Sequence, residues 1–186
     1  MRATIAAYTG ICLAMVVLEL ALAHRGSAEA SSRAKLTDQI MILGTTAALV
    51  SGLASVPLRI GDIEPRPLAL VAGILLGLAG VALRALAMTT LGRSYSLTPQ
   101  VDAEQAIVTT GPYRLIRHPG YAGILLTILG LQLIAGTWVA LAAALFVILP
   151  VPVRIRLEEQ MLIEQRGTRY EEYERRTPYR LIPGIY

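Results

Sequence analysis

The residues best suited to chemistry lie between positions 111 and 121, in the order Gly-Pro-Tyr-Arg-Leu-Ile-Arg-His-Pro-Gly-Tyr. An apolar run without charge follows from Ala122 to Val153, so this stretch marks the point where the chain enters a membrane. Pro119 suits the first turn of the next helix, because its missing N–H would have no partner there. Cationic and aromatic side chains at a helix entrance predict a site for an anionic or amphipathic ligand. For His118 alone, an interfacial anchor is the simpler interpretation.

A second group of ionisable residues follows the same apolar run. Arg154 and Glu158 are spaced i, i+4 and share one helix face, with Glu159 beside them. A solvated amphipathic helix with ordinary ion pairs would explain this pattern. Opposite charges that line a pocket at the membrane surface are the alternative. The spacing alone favours the solvated helix, whereas the position beside the apolar run favours the pocket.

The composition indicates the class of protein that positions these residues. Hydrophobic residues make up 54% of the 186 positions and charged residues only 16%, against about 25% charge in a soluble domain. The sequence therefore predicts an all-α polytopic membrane protein without a Rossmann domain. Each apolar run approaches the ~20 residues needed to cross a bilayer, and the five predicted transmembrane helices cover about 5–23, 38–56, 68–88, 120–134 and 138–153.

Polar segments separate these runs. Residues 24–37 are predicted to form a loop, with Thr37 or Asp38 as the N-cap of helix 2. Pro150 and Pro152 are expected to kink helix 5, which continues as a polar segment to Gly167. Thr168 and Glu171 match a capping box for a last short helix ending at Pro178.

Some features have a structural explanation. Gly73 and Gly77 form a small-xxx-small pair that favours close helix packing and would also permit a dimer. Arg84 near the end of helix 3 is expected to snorkel to the interface. The tyrosines of the tail are expected to be interface aromatics; they are Tyr170, Tyr173, Tyr179 and Tyr186.

The positive charges predict the orientation. Fourteen of the seventeen Lys and Arg residues fall on the side that holds the loops after helices 1 and 3 and the C-terminal tail. The positive-inside rule then places the N-terminus outside and the C-terminus in the cytoplasm. This bias also accounts for the net charge of +4 without a nucleic-acid partner. The long loop and the charged tail share one membrane face, so a common site is geometrically allowed.

Several kinds of site are excluded by the residues present. Two His and one Cys lie far apart, which is too few for a zinc site of the usual ligand count, so no metal is expected. The sequence contains neither a P-loop nor H-E-x-x-H.

The motif Val108-Thr-Thr-Gly-Pro-Tyr-Arg-Leu-Ile-Arg-His-Pro-Gly-Tyr-Ala-Gly123 closely resembles the signature of the isoprenylcysteine carboxyl methyltransferase family. The tail resembles the same family in Arg154-x-x-x-Glu158-Glu159, Gly167, Tyr170-x-x-Tyr173 and Ile182-Pro183-Gly184. The resemblance covers about residues 70–186. We predict a single membrane-embedded methyltransferase domain over 1–186, with two N-terminal helices in 1–67, which resemble nothing in particular, and a catalytic core in 68–186, which the resemblance implies.

The resemblance also implies S-adenosylmethionine as the cofactor, with S-adenosylhomocysteine as its product. The loop and the tail would hold the cofactor, and Arg154 would face the substrate. Arg117 belongs to the motif without a specific role, and Gln105 stands where family members often have His. The implied cofactor contacts are Gln100, Gln105, Ala106, Ile107, Val108, Tyr113, His118, Pro119, Gly120, Tyr121 and Glu158.

The expected reaction is methylation of a carboxylate on a lipophilic substrate that enters sideways from the membrane lipids. This substrate is either prenylated, as a prenylcysteine is, or a small isoprenoid acid or thioether lipid. Because the carboxylate is already anionic, the in-line transfer needs alignment and not a general base. The alternatives are amine methylation of a phospholipid headgroup, with Glu159 as base, and a non-catalytic membrane subunit whose basic tail binds anionic lipid.

Overall fold

The computed structural model describes residues 1–23, 32–58, 61–92 and 107–186. Helices account for most of these ranges, which confirms the predicted all-α class. They are α1 Arg2–Ala23, α2 Ser32–Leu58, α3 Arg66–Leu91, α4 Pro119–Ala135, α5 Trp138–Ala143, α6 Leu145–Ile148, α7 Val151–Arg166 and α8 Thr168–Arg176, with a 3-10 turn at Gly111–Arg114.

The membrane-spanning elements agree with the predicted pattern. Within the described ranges, four segments are long and apolar enough to cross a bilayer: Arg2–Leu20, Leu36–Leu58, Arg66–Leu91 and Trp138–Arg166. The fifth apolar element, α4, is shorter. It begins at Pro119, as predicted. The segment after Trp138 is interrupted at residues 149–150, where Pro150 was expected to kink it, and also at Ala144.

Helices α3 and α4 pack through glycines. A Cβ atom on Gly73 would lie 2.7 Å from the carbonyl oxygen of Gly130, and one on Gly123 would lie 2.8 Å from the Cβ of Arg84. The predicted packing role is therefore confirmed. The same face is already occupied within the chain, because Gly77 contacts Ile11 of α1 and lies against Gly130; it is not available for the dimer that the motif would permit.

Arg84 does not snorkel, so that prediction is wrong. The side chain is buried and forms an ion pair with Glu19 of α1. Its Nη1 also donates to the carbonyl oxygen of Gly120, at 3.1 Å. A buried cation needs such partners, and here they tie α1 and α3 to the first turn of α4.

Two predicted helix starts are also wrong. Helix α2 begins at Ser32, so Thr37 and Asp38 lie inside the helix and not at its N-cap. Helix α8 has Gly167 as its N-cap, with φ of +53°, and Thr168 is its first residue without a capping hydrogen bond. Gly167 takes the cap position because it also ends α7, and glycine tolerates a positive φ. Helix α8 ends at Arg176, before the predicted Pro178.

Candidate active site

The motif of residues 108–123 is held in place by the C-terminal tail. The main-chain N–H of Arg117 donates to the carbonyl oxygen of Tyr179, and that of His118 donates to Arg180, each at 2.9 Å. Tyr173 of α8 donates from its hydroxyl to the carbonyl oxygen of Tyr113, at 2.8 Å. The two segments thus meet in space, as the shared membrane face had allowed.

The tyrosines of α8 are not interface aromatics. Tyr170 and Tyr173 are both buried, and their rings pack edge-to-face with centroids 5.8 Å apart. Burial raises the pKa of Tyr173 to about 12, so its hydroxyl stays protonated and can donate to the Tyr113 carbonyl. The prediction of an interfacial role is wrong for these two residues because α8 folds back onto the motif. Tyr179 is exposed in part.

One buried carboxylate, that of Glu159, joins the motif to the tail. It accepts from Arg117 Nε at 2.9 Å, and its contact with His118 Nε2 is 3.1 Å. Arg180 donates to its other oxygen from Nε at 2.8 Å and Nη2 at 2.6 Å. The bond to Glu159 raises the pKa of the Arg180 guanidinium. We call these four residues, Glu159, Arg117, His118 and Arg180, the Glu159 centre.

The structure gives Arg117 a specific role, which the sequence motif did not indicate. Besides Glu159, it donates from Nη1 to the carbonyl oxygens of Thr177 at 2.8 Å and Pro178 at 2.9 Å. Its Nη2 lies 3.2 Å from the carboxylate of Glu174. A planar guanidinium can serve several acceptors at once, so Arg117 fixes the segment after α8 against the motif.

The neighbouring carboxylate, Glu158, belongs to a different set of contacts. It accepts from the Tyr121 hydroxyl at 2.9 Å, and that hydroxyl accepts from Arg154 Nε at 3.1 Å. The Arg154 guanidinium also reaches α2, where Nη1 donates to the hydroxyl of Thr37 and Nη2 lies 2.5 Å from Asp38 Oδ1. We call these five residues, Arg154, Tyr121, Glu158, Thr37 and Asp38, the Arg154 centre.

The two centres are adjacent but separate. The rings of His118 and Tyr121 have centroids 5.9 Å apart. Since Glu158 and Glu159 are consecutive on α7, their side chains leave the helix about 100° apart and reach different partners. Arg154 is buried, whereas the side chain of Asp38 is 28% exposed, which places Asp38 at the rim of its centre.

The predicted site residues fall into three groups. His118 contacts Glu159 and not Glu158, while Tyr121 contacts Glu158 and Arg154. Ile107 and Val108 are half-buried in the irregular segment before the 3-10 turn, and Tyr113 and Pro119 are buried. Gly120 receives the bond from Arg84. Gln100, Gln105 and Ala106 lie outside the described residues.

Sequence reasoning missed Thr37 and Asp38 as members of this group. They were interpreted as helix caps, because an acidic residue before an apolar run is the usual cap signal. The available signal was the charge asymmetry, which put the start of α2 on the same membrane face as Arg154. An acidic residue inside a membrane helix requires a partner, and Arg154 is that partner.

The arrangement suits a small zwitterion that carries additional positive charge. In the described part of the chain, one Glu158 oxygen accepts from Tyr121, which leaves acceptor capacity on the same carboxylate for an ammonium group. In the first turn of α4, the amide of Ala122 donates to the carbonyl oxygen of His118, and the amides of Gly120 and Tyr121 are in a position to donate to a carboxylate. The residues present therefore fit the amino-acid part of S-adenosylmethionine.

Comparison with known proteins finds similar sequences in one family of membrane methyltransferases. Residues 73–164 match the model of the isoprenylcysteine carboxyl methyltransferase family. The chain is 29% identical over 157 residues to a probable protein-S-isoprenylcysteine O-methyltransferase of Oryza sativa subsp. indica, covering 83% of this chain and 82% of that protein. It is 36% identical over 106 residues to the protein-S-isoprenylcysteine O-methyltransferase of Saccharomyces cerevisiae, covering 55% of this chain and 44% of that one.

A solved structure shares the fold. The eukaryotic intramembrane Ras methyltransferase ICMT superposes with a TM-score of 0.60 at 22% identity, covering 77% of this chain and 52% of that chain. The chain thus spans about half the length of that structure and of the yeast relative.

Proposed function

Because its residues 73–164 place this chain in the isoprenylcysteine carboxyl methyltransferase family, we propose that it is a membrane methyltransferase acting on the carboxylate of a lipophilic, prenylcysteine-like acceptor. The observation that carries the proposal is the Arg154 centre. There, the Tyr121 hydroxyl bridges the buried guanidinium of Arg154 and the carboxylate of Glu158. Tyr121 belongs to the motif that resembles the family signature. Arg154, which would bind the acceptor, and Glu158, which would bind the donor, are thus adjacent.

The proposed methyl donor is S-adenosylmethionine, which supplies a methyl group already activated on a sulfonium. Glu158 would accept from its ammonium group, and the first-turn amides of α4 at Gly120 and Tyr121 would hold its carboxylate. His118 would act indirectly, because its ring is committed to Glu159 and fixes the entrance of α4. The remaining proposed contacts are Gln100, Gln105, Ala106, Ile107, Val108, Tyr113 and Pro119.

The proposed acceptor is anionic at one end and apolar along its length. Arg154 would hold its carboxylate by a two-pronged hydrogen bond. An open apolar groove between α2 and the α5–α7 segment gives the other end a place at membrane depth; its lining is Ile40, Ala142, Leu145, Phe146, Leu149 and Pro150. Pro150 is one helical turn from Arg154, whose main-chain N–H donates to the Pro150 carbonyl oxygen at 3.0 Å, so the groove lies next to the Arg154 centre at this end.

The chemistry requires alignment more than proton transfer. An acceptor carboxylate oxygen forms a C–O bond to the methyl group as the donor's C–S bond breaks, and the electron pair of that bond stays on sulfur. No proton moves, so the site needs no base. The role of the protein is to hold the two reacting atoms within about 3–3.5 Å and to exclude water.

The contacts of Glu159 argue against amine methylation with that residue as base. Its two oxygens already accept from Arg117 and Arg180 and contact His118, so little acceptor capacity remains for a substrate proton. A base for an ammonium acceptor would have to come from elsewhere in the chain.

The proposed orientation places the N-terminus outside and both centres on the cytoplasmic face. It rests on the positive-inside distribution of Arg and Lys. The proposed partners are the prenylated or isoprenoid acceptor and membrane lipids.

The test uses the detergent-purified full chain. We expect titration with S-adenosylmethionine to give saturable binding, and the labelled methyl donor to transfer label to N-acetyl-S-farnesylcysteine. Mild base should release that label, because an ester is hydrolysed and a methylamine is not. Base-stable label on extracted lipid would instead support amine methylation, and absence of donor binding would support a non-catalytic subunit.

A further inference from the structure

The partners of Arg154 in this structure include a carboxylate of the protein itself. Asp38 Oδ1 lies 2.5 Å from Arg154 Nη2, while Nη1 donates to Thr37 and Nε donates to Tyr121. Every guanidinium nitrogen thus already has a partner. A two-pronged bond to an acceptor uses either both Nη atoms or Nε with one Nη. An incoming carboxylate must therefore share at least one Nη, each of which carries two N–H groups, with Thr37 or Asp38 and compete with that contact.

Asp38 is the contact that chemistry and position make exchangeable. It carries the same charge and the same planar pair of oxygens as the acceptor group, and its side chain is 28% exposed whereas Arg154 is buried. Thr37 and Asp38 both come from the first part of α2, so one small movement of this helix end would release both. The contact with Tyr121 is harder to exchange, because the Tyr121 hydroxyl also donates to Glu158.

From this geometry we propose that Asp38 is a specificity-determining residue that occupies the acceptor's carboxylate position on Arg154 and exchanges with it. The inference rests on the proposed carboxyl methylation and adds to it a mechanism for selecting the acceptor and releasing the product. Residues 73–164, which match the family model, do not include Asp38.

The exchange selects for an anion. An acceptor carboxylate replaces one ion pair of Arg154 with another, so the buried guanidinium remains paired. A neutral group of the same shape would leave Arg154 with a weaker hydrogen bond in place of a charge-assisted one. The acid should therefore bind more tightly than its ester.

The same difference promotes product release. Methyl transfer converts the bound carboxylate into a neutral ester, which competes less well for Arg154 than the carboxylate of Asp38. Asp38 then returns to the guanidinium and displaces the product. In this mechanism the carboxylate of Asp38 weakens acceptor binding, and it accelerates turnover because it speeds product release.

The experiment compares binding of N-acetyl-S-farnesylcysteine and its methyl ester to the full chain in detergent, by calorimetry, without turnover. We expect Asp38→Asn to tighten the Kd of the acid about fivefold, because a neutral amide competes less well than a partly exposed carboxylate. Product inhibition by the ester should become stronger, and Asp38→Glu should restore the wild-type values for both ligands.

The matched control is Asp62→Asn, which removes an acidic residue paired with Arg66 before α3, away from the Arg154 centre. We expect it to leave both Kd values unchanged. If Asp38→Asn leaves the Kd of the acid unchanged, or weakens it, Asp38 does not compete for Arg154 and the proposal is overturned.

The wild-type protein provides a second measurement in case Asp38→Asn does not fold. The acid should bind at least about tenfold more tightly than the ester, because only the acid can replace one ion pair by another. Equal affinities would overturn the proposal. If the wild type shows this preference but forms no base-labile methyl ester, the exchange at Arg154 stands and the proposed methyltransferase activity fails.

Discussion

The two carboxylates Glu158 and Glu159 are neighbours in sequence but have opposite environments. Glu159 is buried and its two oxygens are shared among Arg117, His118 and Arg180. Glu158 is half-buried, and among the described residues it accepts only from Tyr121. A carboxylate whose acceptor capacity is used by the protein fixes structure, whereas one with capacity left can bind a ligand. The comparison assigns a structural role to the Glu159 centre and a binding role to the Arg154 centre.

The strongest test of this difference is Glu159→Gln. We expect it to destabilise the protein by about 3–5 kcal/mol, because neutralising Glu159 leaves two arginines without their shared buried anion. Thermal unfolding in detergent should show a large drop in Tm. The matched control is Glu172→Gln, whose exposed pair with Arg176 should contribute almost nothing. Equal Tm values for the two variants would remove the structural role of the Glu159 centre.

The second prediction concerns Arg154→Lys. Lysine keeps the charge but loses the planar fork, so we expect turnover to fall about 100-fold through misalignment of the acceptor. The Kd of S-adenosylmethionine should change little, because Glu158 and the amides of α4 would still hold the donor. Measuring kcat beside donor affinity separates these effects. Equal losses in both would contradict the division of roles within the Arg154 centre.

The third prediction is the direct counterpart of Glu159→Gln. We expect Glu158→Gln to weaken S-adenosylmethionine about tenfold, since a charge-assisted hydrogen bond becomes a neutral one. Its Tm should stay close to the wild-type value. An unchanged Kd by calorimetry would remove Glu158 from the donor site, and a Tm loss as large as that of Glu159→Gln would abolish the contrast between the two carboxylates.

The smallest expected effect is that of Tyr121→Phe, which sharpens the comparison within the Arg154 centre. The variant removes the hydroxyl that joins Arg154 to Glu158 and keeps the ring. We expect kcat/KM to fall about fivefold, at the low end of the cost of losing two partly buried hydrogen bonds. An unaffected kcat/KM would show that Arg154 and Glu158 are oriented independently of this bridge.

Much of the architecture could be predicted because it depends on local properties of the chain. The apolar runs predict membrane helices by length alone, and Pro119 predicts the start of α4 because proline suits the first helical turn. Gly73 predicts close packing because only a missing side chain allows such an approach. The errors at Thr37 and Arg84 share one cause, since each residue has a partner far away in the sequence, Arg154 and Glu19 respectively. The error at Thr168 is local, because the neighbouring Gly167 takes the cap position.

By itself, the sequence determined the membrane class, the helical segments, the family motif and the set of charged residues at one membrane face. The tertiary structure decided how those charges are paired. Consecutive residues on a helix point about 100° apart, so only the rotation of α7 decides that Glu159 meets His118 and Glu158 meets Tyr121. Likewise, the pairing of Asp38 with Arg154 joins residues far apart in the chain. A buried charge pairs with the partner that helix packing brings within reach, and this partner cannot be predicted from the spacing of residues in the sequence.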